Sequence, residues 1–146
     1  MLNEIEGLFP NLGSSGYEIT GEASDEYNCI AWALGVTVTW WGYQNPGDYW
    51  PPTLPHNQEI ATLMRLFADE GFTLCENDTL EPGYEKIALY AFVGQFTHVA
   101  RQLEDGRWTS KLGNREAITH PSLSSLAEGF YGEVHCIMRR LSSSQV

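Results

Sequence analysis

Cys29 is the residue whose type and position first suggest chemistry. It stands at the start of the apolar run CIAWAL, which is predicted to begin a buried helix near Ser24 to Asn28. Ser24, Asp25 and Asn28 are each capable of capping such a helix, and Gly35 suits its end. A helix start offers unpaired N–H groups and partial positive charge, both of which favour a thiolate over a thiol. The thiolate is the nucleophilic form of cysteine. The simpler reading is that Cys29 is a small buried apolar side chain, as many free cysteines are. A nucleophilic thiol also needs a base. Of His56, His98, His120 and His135, the first lies in a proline-rich loop. His120 precedes Pro121 and is expected to be extended and at the surface. His135 is expected on the last strand, on the face opposite Val134 and Cys136. His98 opens the strand THVARQL and shares a face with Ala100 and Gln102, so it can approach a helix end packed on that sheet. The competing reading is a core histidine satisfied by a backbone carbonyl.

A third group should orient the imidazole, and the next strand, RWTSKL, offers Thr109, Ser110 and Lys111. The hairpin at Asp105-Gly106 decides among them. A two-residue turn puts Thr109 and Lys111 on the face of His98. A three-residue loop with Gly106 in the left-handed conformation puts Ser110 there instead. Lys111 is a cation and a poor partner for a base, so Ser110 is favoured.

These groups need elements to hold them. The chain has 146 residues, a formal charge of −11 and 42% hydrophobic residues, which suits a single domain over 1–146 with a substantial core. Residues 1–24 show no clear period and are expected to form a wrapped arm. Residues 36–56 are rich in proline and glycine and form a long irregular loop. A helix is predicted over about 57–70, from the stripe Ile60, Leu63, Met64 and Phe67. Strands are predicted at KIALYAF, THVARQL and RWTSKL, and over about 131–139, where Val134, Cys136 and Met138 share one face. A short helix is expected over 122–128, and 141–146 should be frayed. The order reads as an α+β domain. Within the long loop, Trp40, Trp41, Tyr43, Tyr49 and Trp50 crowd together, either lining a substrate cleft or covering the sheet.

The charge excludes classes of function. An excess of acids over bases opposes binding to nucleic acid or anionic membrane. The longest apolar run, Ile87 to Val93, is too short to span a bilayer. MLNEIEGLFP has no basic region ahead of an apolar one, and the three cysteines have no CxxC spacing. A cytoplasmic, reduced protein without disulfides, metal or cofactor is therefore expected, with delivery as a secreted effector left open. Arg101, Arg107, Lys111 and Arg115 form a local basic region, either attracting an acidic group or serving as solvated strand faces.

The order of a Cys opening a buried helix, a His opening a strand and a polar residue on the next strand resembles the papain-like fold, in particular the NlpC-type cysteine hydrolases. HVARQLEDGRWTSK has the layout of the His-containing hairpin of that type, with His98 on the base and Ser110 on the third polar position. Here Ser replaces the usual His or Asn. YNCIAWALG, GYEKIALY, HVARQLEDGRWTSKLG and the late YGEV also resemble an uncharacterised family of small bacterial proteins. The resemblance implies a papain-like α+β fold with the nucleophile helix packed on an antiparallel sheet. It further implies a thiol hydrolase acting on a peptide or cell-wall amide, with acyl transfer and deamidation equally open. Cys29 attacks, His98 moves the proton and Ser110 orients it. The Cys29 N–H, with a donor from Tyr27 or Asn28, holds the oxyanion, and Trp40 and Trp41 border the substrate. The alternative is a non-catalytic module that binds a peptide or partner in the same cleft. The sequence leaves the oligomeric state open.

Overall fold

The computed structural model describes residues 4–142. Its elements in chain order are α1 (Glu4–Leu8), α2 (Leu12–Ser15), β1 (Glu18–Gly21), α3 (Cys29–Ala33), α4 (Ile60–Asp69), β2 (Thr73–Cys75), β3 (Tyr84–Phe92), β4 (Gln95–Gln102), β5 (Trp108–Lys111), β6 (Ala117–His120), a 3₁₀ turn (Leu123–Leu126) and β7 (Glu133–Leu141). The strands form one seven-stranded sheet in the order β1-β6-β5-β4-β3-β7-β2. Every pairing in it is antiparallel.

This overturns the expected papain-like α+β architecture: the protein is β-rich with few, short helices. The supposed nucleophile helix is a single turn of five residues, because the apolar run after Cys29 ends at Gly35. Among the described residues only α4, with ten residues, is longer than two turns. The segments that carried no strand pattern, at β1, β2 and β6, extend the sheet at both sides.

The arm is also more than a wrap. Its two short helices place Ile5, Phe9 and Leu12 in the core on one sheet face, with Tyr90, Ala100, Trp108, Ile118 and Tyr131. Burying side chains such as Phe9 and Leu12 is worth about 2 kcal/mol each, so the arm is a structural layer. The other face carries Ile87, Leu89, Val99 and Met138 beneath Cys29, Ile30 and Ala33 of α3 and Leu63, Leu66 and Phe67 of α4. That stripe on α4 follows the expected one. Asn57 supports its start by accepting from the Glu59 N–H and, at 2.6 Å, from the Thr62 hydroxyl.

Two irregularities decide which side chains face which layer. The β3–β4 register slips at Thr97, between Tyr90↔His98 and Ala91↔Phe96. The β3–β7 register slips at His135, between Leu89↔Cys136 and Tyr90↔Val134. Each inserts one unpaired residue and reverses the alternation beyond it. Val134 therefore packs with the arm-covered layer while Cys136 and Met138 pack under the helices, so the expected common face of the three is lost.

Just before β7 the chain is held close. Gly132 is buried at φ 75°, and a Cβ there would sit 2.5 Å from the Ala91 carbonyl oxygen. Gly132→Ala combines a left-handed alanine with a clash against backbone, which cannot yield as a side chain can. A loss of about 2–4 kcal/mol is expected, read as a fall of roughly 10 °C in melting temperature. Gly47→Ala, which meets nothing within 4 Å, should leave it nearly unchanged.

Candidate functional site

Asn28 organises the surroundings of Cys29. Its backbone is extended, and its side-chain oxygen accepts from the Ala31 N–H at 3.2 Å, capping α3. The same oxygen accepts from the Trp41 N–H, and the amide nitrogen donates to the Trp41 carbonyl at 2.7 Å. One buried amide thus ties the start of α3 to the aromatic loop. Tyr27 turns elsewhere: its ring meets Trp32 at 5.6 Å and lies under the Lys111 ammonium at 4.7 Å. The Tyr27 ring is thus held by Trp32 and Lys111, while Asn28 also lines the cleft beside Cys29.

Cys29 is 9% exposed and lines a cleft of about 390 Å³ together with Trp40, Trp41, Tyr43, Phe96 and Thr97. The sulfur lies against β4, near the Val99 backbone N–H. β4 and β5 pair only at Arg101↔Thr109 and Gln102↔Trp108. Beyond that point β4 and β5 are no longer paired, and this seam runs beside Cys29, with Thr97 and Gly113 both at the cleft wall. Trp32 bridges the two strands, its indole N–H donating to the Thr109 hydroxyl at 3.0 Å and its ring meeting the Arg101 guanidinium at 4.8 Å.

A depressed thiol pKa was the expectation from the helix start. Burial instead pushes the Cys29 thiol up to about 11, against the opposing pull of the Val99, Ile30 and Cys29 backbone N–H groups and of the Lys111 charge. A five-residue helix has too little aligned backbone to offset that desolvation.

His98 is fully buried, and its side chain lies on the arm-covered layer, stacked on Tyr131 at 4.2 Å and 2° and near Tyr90 at 5.6 Å. Neither ring nitrogen has a hydrogen-bond partner among the described residues, Cys29 included. The imidazole packs with Tyr131, whose hydroxyl pKa is pushed up by burial and by the nearby Cys29 charge, and its carbonyl shares a peptide unit with the Val99 N–H beside the sulfur. Burial holds its pKa well below the ordinary histidine value, with nearby His120 adding to the shift.

Ser110 sits on the face expected from a three-residue loop. The Leu103 N–H donates to the Arg107 carbonyl at 2.7 Å, and Gly106 has φ 93°. Its hydroxyl, however, is given to His120 rather than His98. His120 Nδ1 lies 2.8 Å from the Ser122 carbonyl, which can only accept, so Nδ1 carries the proton. Nε2 then accepts from the Ser110 hydroxyl at 2.9 Å. His120 is fully buried rather than at the surface, because β6 is an interior strand between β5 and β1. Burial lowers its pKa to about 4. Thr109 and Lys111 face the other layer, where Lys111 donates to the Ser24 carbonyl at 2.7 Å and to the Gly113 carbonyl.

Trp40 and Trp41 both line the cleft, and Trp41 meets Tyr49 edge-on at 4.8 Å. Trp50, by contrast, is buried in the core. The cleft also recruits Gly42, Asp48, Gln58 and Thr97, which sequence reasoning did not single out. The bulge at Thr97 was the missing signal, since such bulges gather beside functional sites. The basic region is dispersed: Arg107 pairs with Asp105 and Glu18, and Arg115 with Glu4. Another concavity, about 690 Å³ around Tyr84, Arg101 and Glu104, does not have the thiol in its lining.

Among the described residues no group of three His, Cys, Asp or Glu side chains could hold a metal ion. No helix in them is long and apolar enough to cross a membrane. Neither a curated protein nor a solved structure matches the chain. The model of one family, described as Domain of unknown function (DUF7689), matches residues 18–139, and the chain belongs to that family.

Proposed function

We propose that the aromatic-walled cleft is the site of a thiol hydrolase, in which Cys29 attacks an amide carbonyl of a peptide-like substrate and His98 serves as base. The observation that carries the reading is the seam. The Cys29 sulfur lies beside the Val99 N–H, the peptide unit of His98, and the His98 imidazole has two buried nitrogens without partners. A buried polar group left unpaired costs stability and calls for a purpose. In this reading the imidazole leaves its stack on Tyr131 and turns to the seam when substrate binds. It takes the thiol proton as sulfur bonds to the carbonyl carbon. The backbone N–H groups around the sulfur hold the resulting oxyanion. The imidazolium then protonates the departing amine, and water hydrolyses the thioester. The raised thiol pKa keeps Cys29 protonated until that moment.

A second reading is a binding cleft without turnover, for peptide or a partner segment. It is favoured by the commitment of Ser110 to His120, which leaves His98 with no orienting group.

The test uses peptides and muropeptides bearing a carbonyl electrophile, followed by peptide mapping. The hydrolase reading expects labelling of Cys29 ahead of Cys75 and Cys136, lost in His98→Ala. Simple iodoacetamide should instead label half-buried Cys75 before Cys29, since the Cys29 thiol is buried and protonated. Peptides that bind, by tryptophan fluorescence, while no electrophile labels Cys29 would support the binding reading and overturn the hydrolase.

A further inference from the structure

We infer that the ligand of this cleft carries a cationic nitrogen, an ammonium or guanidinium, that seats between Trp40 and Asp48 over Gly42; the inference rests on the cleft being the substrate site. Asp48 is the single charged side chain in the cleft lining, whose other members are the thiol, aromatic, amide, hydroxyl and aliphatic groups. It is half-buried. Among the described residues no Lys, Arg or His forms an ion pair with it. Its contact is a long one, 3.4 Å from the Asn45 amide nitrogen.

The space beside that carboxylate is shaped. A Cβ on Gly42 would lie 3.4 Å from Asp48 Oδ2 and 3.4 and 3.5 Å from Trp40 Cδ1 and Nε1. A carboxylate oxygen and an indole therefore flank one position where the chain has no side chain of its own. The carboxylate selects the class of ligand, because a cation gains charge pairing and charge-assisted hydrogen bonds there, and the indole beside it gives apolar contact to the carbon carrying that cation. Trp41 and Tyr43 line the same cleft. An anion meets the reverse, both at Asp48 and from a chain of net charge −11, whose long-range field favours cations. Because Cys29 opens into the same cleft, the cation sits on the group being processed, so the substrate class is a peptide or amide bearing a lysine-like, arginine-like or free amino group.

The experiment compares modification rates of Cys29 by small thiosulfonates of one reactive group and different charge: aminoethyl (cationic), methyl (neutral) and sulfonatoethyl (anionic). Cys75 in the same molecule is the reference for the general field of the protein. The expected result is a cation-over-anion ratio at Cys29 at least tenfold above that at Cys75, falling to within about twofold of it in Asp48→Asn and in wild type at 1 M salt. Equal ratios at the two cysteines, or a ratio unchanged in Asp48→Asn, would overturn the inference. The salt comparison holds if Asp48→Asn fails to fold. Tryptophan fluorescence with Ala-Lys-Ala amide and its Nε-acetyl form gives the second readout: the first should bind and the second bind at least tenfold less well. Neither readout needs His98 or turnover, so a cation preference without labelling by carbonyl electrophiles would remove the hydrolase and leave the ligand class standing. Labelling without charge preference would do the opposite.

Discussion

His98→Phe is expected to abolish labelling of Cys29 by substrate-like electrophiles and, at the same time, to raise the melting temperature. The imidazole is buried with both nitrogens unpaired, a penalty of about 1–3 kcal/mol that an apolar ring does not incur. Phenylalanine keeps the flat face that stacks on Tyr131, so packing survives. A gain of a few degrees follows for a domain of this size. Loss of a general base costs roughly 10²–10⁴ in rate. Thermal melts and probe labelling on the same preparation measure both. A histidine kept for packing would show the reverse pattern, with stability falling and labelling unchanged.

Acid should destabilise the fold in a window set by the buried histidines. His120 is held neutral, with a pKa lowered by burial from the ordinary 6.5 to about 4, and His98 is shifted in the same direction. Between those values the unfolded chain binds protons that the folded chain refuses. The contribution is therefore fully present above about pH 6.5 and lost as pH falls toward 4, at about 1.4 kcal/mol per unit for His120 alone. About 3 kcal/mol should disappear across the window, more with His98. Urea midpoints at pH 7, 5.5 and 4.5 report it. His120→Gln should flatten the dependence. A midpoint constant from pH 7 to 4.5 would mean that both histidines take up protons in the folded state.

The elements that were legible in the sequence are those whose pattern is local. Asn28 as cap, the Ile60 to Phe67 stripe and the runs at β3, β4 and β5 could be read because neighbours along the chain make them. Gly106 even carried the hairpin register, and with it the face of Ser110. The strands that went unseen are short and held from outside. β6 is four residues, AITH, all buried between two neighbours, so neither alternation nor length marks it. Without β6 there was no way to see that Ser110 would find His120 first. Bulges are equally silent. One inserted residue at Thr97 reverses the faces of Phe96 and His98, and another at His135 parts Val134 from Cys136. Trp40 and Trp41 were legible as cleft candidates by crowding alone. Asp48 was not, because its isolation from any base is a property of space.

The narrow ladder between β4 and β5 makes the sheet two plates on an isthmus. One plate is β1, β6 and β5, and the other is β4, β3, β7 and β2. Two paired positions join them, whereas β3 and β7 are paired along nearly their whole length. Trp32 lies across the joint as a clasp, held to Thr109 on one plate and to Arg101 on the other. Parting the plates breaks fewer backbone bonds than peeling β3 from β7, and the Cys29 sulfur lies beside the joint, against the Val99 backbone. The exposure of the thiol is thereby expected to follow any opening of that joint, and Trp32, which spans the joint and also donates its backbone N–H to the cleft-lining Asn28 carbonyl at 2.9 Å, is placed to resist it.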